Sequence, residues 1–403
     1  MFAYGADPLL RKGDFVAVAG DSITEQRMYS AYIEDYLLMC QPVAGLRACQ
    51  FGWTGQTSTV FAQRMVNNFL PFKPSVATVC FGSNNGTYGP TTPEDPESYR
   101  EAMRDIIRQM KKCGARVIVI GSPVPLDTER AFNGDRVRAR MYDRALAQLS
   151  DIAGGVAKDE GVIYANVYDT MAGFIAKARV RFGKDYFVLP NGGNPEHAGS
   201  LVMAYVFLKA MGCEGNIGTI TVDLEANKAS ATDGHKILSC KNGRIEVESI
   251  RYPFCFFGEA SRSECTRGVP ELIPFNEDLN RFQLRVLRLG APKAKVTWGT
   301  ASREFTSAQL EKGINLAAEF LDNPFSEIFR KNDETTVSKQ WGDMVLIKEQ
   351  MDSIADLRAL APNEGPALDR LAAAILKRAQ ENRESNAKAI VPVKHVLLIE
   401  SVK

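Results

Sequence analysis

Gly20-Asp21-Ser22-Ile23-Thr24 directly follows the apolar run Phe15-Val16-Ala17-Val18-Ala19. A serine at such a strand-to-helix turn exposes its hydroxyl at the edge of a sheet. Its own N–H lies near a helix N-terminus, where negative charge is favoured. Taken alone, the same residues read more readily as an Asp/Ser cap before a helix. Two later loops change the weighing. Gly52-Trp53-Thr54-Gly55-Gln56-Thr57 follows the second apolar run, and Gly55 can present a bare backbone N–H to a small anion. Phe81-Gly82-Ser83-Asn84-Asn85 follows the third, where Asn84 can aim a side-chain amide at the same place. A hydroxyl and three donors (the N–H groups of Ser22 and Gly55 and the amide of Asn84) have the composition of a nucleophile with an oxyanion hole, the equipment of acyl transfer.

In this order the three loops resemble the blocks of the SGNH/GDSL hydrolase family: Gly20-Asp21-Ser22, then Gly55, then Gly82-Ser83-Asn84. The resemblance runs from residue 14 to about 212. It implies a flavodoxin-like, three-layer α/β/α domain and ester hydrolysis through an acyl-serine, with carbohydrate acetyl esters, lipids and thioesters among the family's substrates. The segments after that domain look like those of family members from polysaccharide-degrading bacteria, so a small-molecule or carbohydrate ester is the expected partner.

The family's last block, Asp-x-x-His-Pro before a helix, supplies the base and its orienting acid. Here the stretch reads Asn191-Gly192-Gly193-Asn194-Pro195-Glu196-His197-Ala198-Gly199. Aligning on Pro195, Gly199 and the apolar helix beyond puts Asn191 at the acid and Asn194 at the base. An amide is no base at neutral pH and cannot balance an imidazolium. A second register takes His197 as base and Asn194 as its acid. It gives up the match at Pro195 and places His197 at about the third helical position, where the helix end disfavours imidazolium. Asn85 also stands where an Asp commonly follows Asn84. Loss of a positioned base costs about 10²–10⁴ in rate. The resemblance therefore implies a weak serine esterase, catalytic through Ser22, Gly55, Asn84 and His197, or an inactive relative that binds an acyl or carbohydrate ligand in the retained pocket.

The elements that must position these residues are legible around them. Short apolar runs at 15–19, 46–51, 76–81, 116–120 and 162–167 alternate with helical patterns, ending in a helix from Pro195 to Met211. Such alternation implies a parallel sheet covered on both faces, with ligands at the carboxyl ends of its strands. This α/β domain is expected over 1–215. Alternating stretches such as Arg244-Ile245-Glu246-Val247-Glu248, separated by Asp233-Gly234 and Asn242-Gly243, predict a β-rich sandwich or sheet over 216–300. A helical region over 301–403 closes with the strand-like His395–Ile399.

Composition narrows the rest. The 403 residues carry a net charge of +1, which gives no global electrostatic argument for nucleic acid or an acidic membrane. No apolar run is long enough to cross a bilayer. The heptad Met1–Asp7 is too short and polar for a secretory signal, and equally suits a chain trimmed of a leader, so the compartment stays open. None of the eight cysteines forms a Cys-x-x-Cys or a zinc spacing, and no cofactor or metal is expected. Free thiols are expected, with one disulfide among Cys240, Cys255 and Cys265 as the alternative. His235 and His395 lie outside the α/β domain and read as structural. Trp53, Trp298 and Trp341 could stack on a sugar, a rarer role for tryptophan than core packing. Oligomeric state is not legible.

Overall fold

The computed structural model describes residues 8–86, 88 and 94–402. The N-terminal heptad, and much of the Gly/Pro-rich loop expected to run to Pro96, lie outside them. The first half alternates β1 (Phe15–Gly20), α1 (Ser22–Glu25), α2 (Tyr29–Asp35), β2 (Arg47–Gly52), α3 (Ser58–Asn68), β3 (Val76–Cys80), α4 (Glu94–Lys112), β4 (Val117–Gly121), α5 (Arg136–Glu160), β5 (Ile163–Ala165), α6 (Val167–Phe182) and α7 (His197–Ala210). The five strands form one parallel sheet in the order β2-β1-β3-β4-β5. The flavodoxin-like strand order and the expected α/β class are both present.

β1 shows why the sheet is sandwiched. Val16 and Val18 face one apolar layer with α2, α6 and α7, whereas Ala17 and Ala19 face another with α3, α4 and α5. All four are essentially inaccessible, so the run is apolar throughout rather than alternating. Register sets the working edge. Gly20 pairs with Gly52 and Cys80, and Cys80 with Gly121, so the following loops leave the sheet side by side. After β1 the chain moves outward to β2 and then back across to β3. Such a reversal opens a crevice at the carboxyl edge.

The second half holds β6 (Asn216–Asp223), β7 (Lys228–Ala231), β8 (His235–Lys241), β9 (Arg244–Ser249), α8 (Phe275–Leu279), β10 (Arg281–Leu287), β11 (Lys293–Trp298), β12 (Ala301–Thr306), α9 (Ser307–Lys312), β13 (Ile314–Asn315), α10 (Leu316–Glu319), α11 (Ser326–Met344), α12 (Asp352–Leu360), α13 (Gly365–Lys388) and β14 (Val393–Val402). Two sheets, β13-β10-β6-β7 and β12-β11-β14-β9-β8, meet through Phe282 against Trp298 and His395. Asn242 and Gly243 both take positive φ (50° and 76°) in the β8–β9 hairpin, as that dipeptide predicts.

The boundary expected at 300 falls inside the β11–β12 hairpin, and the closing strand β14 lies between β11 and β9. Hydrogen-bonded ladders join strands across any sequence separation, which a running pattern does not reveal. The helices between them return to the α/β domain instead. Leu346, Ile347, Met351 and Ala379 share the apolar layer under α3. Beneath α11 the Lys339 ammonium is buried against Glu34 (3.0 Å) and Asp343 (2.7 Å) and donates to the Ala48 carbonyl at 2.6 Å. Among the described residues no helix is long and apolar enough to cross a membrane.

Candidate active site

Ser22 is the first residue of α1, capped by Asp21, whose Oδ1 accepts from the Ile23 N–H at 3.0 Å. The turn leaves no room for a side chain at residue 20: a Cβ there would lie 2.1 Å from the Thr24 hydroxyl and 2.7 Å from the Cys80 carbonyl. Thr24 is fixed in turn by the Tyr29 hydroxyl at 2.6 Å. Burial raises the Asp21 carboxyl to about 7, against the lowering effect of its backbone hydrogen bond. The half-buried Ser22 hydroxyl makes no hydrogen bond with another described residue, so it is free to meet a ligand.

The second loop is tied to the first. The Trp53 N–H donates to the Gly20 carbonyl at 3.1 Å, and the Thr54 N–H to the Glu25 carboxylate. Gly55 has φ +77° and open space where a Cβ would sit, so its N–H lies on an uncrowded, exposed turn. The third loop is tied to the second. Asn84 Nδ2 donates to the Gln56 carbonyl at 2.9 Å, which leaves the other amide hydrogen for a ligand. Asn84 Oδ1 accepts from the Tyr88 hydroxyl. Asn85, standing where an Asp was expected, holds the start of α3: its Oδ1 accepts from Ser58 N–H at 3.2 Å and its Nδ2 donates to Ser58 Oγ at 3.1 Å. Ser22, Gly55 and Asn84 thus lie on three mutually bonded loops at one sheet edge.

The acid/base stretch keeps a shape without the chemistry. Asn191 Oδ1 accepts from the N–H groups of Gly193 (3.2 Å) and Asn194 (2.8 Å), an Asx turn leading to Pro195. A Cβ on Gly199 would lie 2.9 Å from both Pro195 and Val188, so close packing fixes the start of α7 against these two residues. The Asn194 side chain makes no hydrogen bond to a described residue.

His197 starts α7 rather than occupying its third position, because the helix begins only after Glu196. Its Nδ1 meets the Tyr32 hydroxyl at 2.5 Å and its ring stands edge-on to Phe257 at 5.3 Å. Burial lowers its pKa, and the carboxylates whose charge reaches it are Asp333, Glu196 and Glu264 rather than Asp21. His197 and Ser22 share no hydrogen bond. The other histidines form a buried chain. Trp298 Nε1 donates to His395 Nδ1 (3.1 Å), which makes His395 Nε2 the donor to Ser249 Oγ (3.0 Å). Ser249 then donates to His235 Nδ1 (2.8 Å), and His235 Nε2 to the Ile217 carbonyl (2.9 Å). Every link is satisfied with both rings neutral, and burial holds His395 down at about 3.

Several neighbours of the site carried no signal in sequence. Tyr88 and Tyr142 reach the third loop from outside the motifs, and Lys348 pairs with Glu25 at 2.7 Å across more than three hundred residues. Trp53 lies under the cations of Arg64 (4.9 Å) and Lys348 (5.2 Å), which occupies it in packing. Trp298 is core, and Trp341 is exposed beneath Arg27. All eight cysteines are free thiols, Cys240, Cys255 and Cys265 included. Among the described residues no group of three or more His, Cys, Asp or Glu could hold a metal ion.

Residues 18–191 match the model of the GDSL-like lipase/acylhydrolase family. Over almost its whole length the chain is similar in fold to a gut microbial diltiazem-metabolizing enzyme (BT4096), at 19% identity, with 98% of each chain covered and a TM-score of 0.71. Half of it also aligns with Axe2, an acetylxylan esterase from Geobacillus stearothermophilus, at 19% identity, covering 51% of this chain and 96% of that one with a TM-score of 0.43. No curated protein matches.

Proposed function

We propose that this chain, whose residues 18–191 are a GDSL-like lipase/acylhydrolase domain, binds small acyl esters at Ser22 and hydrolyses them slowly, without a histidine base. The observation that carries this reading is the placement of His197, held at Nδ1 by Tyr32 and bonded nowhere to Ser22. The alignment of Asn191 and Asn194 with the acid and base of the family resemblance supports it. The Ser22 hydroxyl attacks the ester carbonyl, and the developing oxyanion is met by the N–H groups of Ser22 and Gly55 and by the free hydrogen of the Asn84 amide. The serine proton leaves to solvent rather than to an imidazole. The intermediate collapses with loss of the alcohol, protonated by solvent, to leave acyl-Ser22. Water then attacks that acyl carbonyl to release the acid and restore the Ser22 hydroxyl. In serine triads the oxyanion hole and binding alone retain about 10³–10⁴ over water, so turnover is feeble but real.

The test compares p-nitrophenyl acetate and an acetylated sugar with wild type, Ser22→Ala and the double variant Asn191→Asp/Asn194→His. Slow wild-type turnover abolished in Ser22→Ala, and a gain of orders of magnitude in the double variant, is the expected pattern. Equal rates in wild type and Ser22→Ala would remove serine catalysis. Rapid wild-type turnover that the double variant does not improve would instead place a base elsewhere.

A further inference from the structure

A cavity opens beside Tyr32 of α2. It occupies about 290 Å³ between α2, the stretch 254–258 and the start of α11. None of Ser22, Gly55, Asn84, Asn191 or Asn194 lines it. Its walls include Tyr32, Phe254, Phe256, Phe257 and Phe329. The Phe254 ring packs against Tyr32 (6.0 Å), Phe256 (5.4 Å) and Phe329 (5.0 Å), so the wall is one contiguous aromatic surface.

The charges around this surface are nearly all matched. Arg267 pairs with Asp322 through both terminal nitrogens, Arg330 with Glu334, and Glu327 with Lys331 at 2.9 Å. Asp333 is different. It lines the cavity, and no lysine or arginine forms an ion pair with it. Behind it stands Asp35, completely buried, with both carboxyl oxygens lacking a donor. The two carboxyls lie against each other, and burial together with their mutual repulsion holds Asp35 well above the carboxylate range. Burial raises Asp333 as well, and a cation that entered would favour the ionised form of the pair. Nearby Glu34 is already matched by Lys339, and burial favours the neutral form of the His197 ring behind Tyr32. The site therefore combines aromatic faces with a carboxyl pair that no lysine or arginine among the described residues matches.

We propose that this cavity binds a small organic ammonium with an apolar or aromatic body, its nitrogen on Asp333 and its body against the phenylalanine wall. A cation gains from the ring faces and from the carboxyl pair together. An anion would meet Asp333 with no free arginine to offset it, because both arginines are committed to their own carboxylates.

Calorimetric titration of the whole chain near neutral pH with phenethylammonium, 2-phenylethanol and 3-phenylpropionate tests this. The ammonium is expected to bind at least about tenfold more tightly than either analogue, and Asp333→Asn to lose that advantage. Equal binding of the alcohol or the carboxylate, undiminished binding by Asp333→Asn, or no binding of the ammonium at millimolar concentration would each overturn the proposal. If Asp333→Asn does not fold, a crystal of the wild-type chain grown with phenethylammonium decides. Nitrogen within hydrogen-bond distance of Asp333 supports the site, and an empty cavity rejects it. Both readouts are of binding, so they stand whether or not Ser22 turns over esters.

Discussion

The two sides of the serine site have fared differently. On the donor side, each loop is bonded to the next, Trp53 to Gly20 and Asn84 to Gln56, and close contacts at Gly20 and Gly52 leave no space for a side chain. On the other side, an Asx turn at Asn191 and the Gly199–Pro195 packing set the path of the backbone, and the two residues that the family resemblance aligns with its acid and base are amides. On the donor side Asn84 braces the neighbouring loop with one amide hydrogen and keeps the other, so the same side chain that holds the fold would also be the one to meet a ligand. The acid and base act only through their ionisable ends. Asn191 can make the Asp-like turn with its carbonyl oxygen, so the loop survives the loss of the charge. A scaffold of this kind can lose catalysis before it loses shape.

The comparison is sharpened first by restoring the weaker side. Asn191→Asp with Asn194→His should raise kcat/KM for p-nitrophenyl acetate by about 10²–10⁴, the usual contribution of a positioned base. A gain below tenfold would mean that the turn no longer aims residue 194 at Ser22. Breaking the stronger side comes next. In that restored background Asn84→Ala should cost about 10²–10³ in kcat, as removal of one oxyanion donor does elsewhere. A loss in KM alone would make Asn84 a brace for the Gln56 loop rather than a donor to the reaction.

Much of this was legible in the sequence because it is local. The nucleophile turn, Gly55 and Asn84 each follow an apolar run directly, and a parallel sheet delivers such loops to one edge. The amides at 191 and 194, aligned with the family's last block on Pro195 and Gly199, could likewise be read from nine consecutive residues. What could not be read depends on distant pairing. Lys339 sits in a charged helix that reads as solvent-facing, yet the ammonium is enclosed by Glu34, Asp343 and the Ala48 carbonyl. Tyr32 and Lys348 join the surroundings of His197 and Glu25 from elements with no motif of their own. The Lys339 contact gives a test of how firmly α11 is fastened beside the site. Lys339→Met strands two buried carboxylates and should destabilise the chain by about 3–5 kcal/mol in denaturant unfolding. A change under about 1 kcal/mol would mean that α11 is held by its apolar face alone.

The smallest expected effect separates His197 from the chemistry. If its imidazole were the base, activity would require the neutral ring, and burial lowers its pKa below the ordinary imidazole range. The rate would then be flat above that lowered pKa and fall as pH drops through it. With no histidine at Ser22, the wild-type rate should instead climb with pH through the neutral range, following hydroxide. His197→Gln should change kcat by less than about twofold, against the 10²-fold or greater loss that removal of a working base brings. A plateau in the wild-type profile that disappears in His197→Gln would reverse the assignment. The Tyr32 hydrogen bond would then be the means of orienting the base, and the amides at 191 and 194 would no longer explain slow turnover.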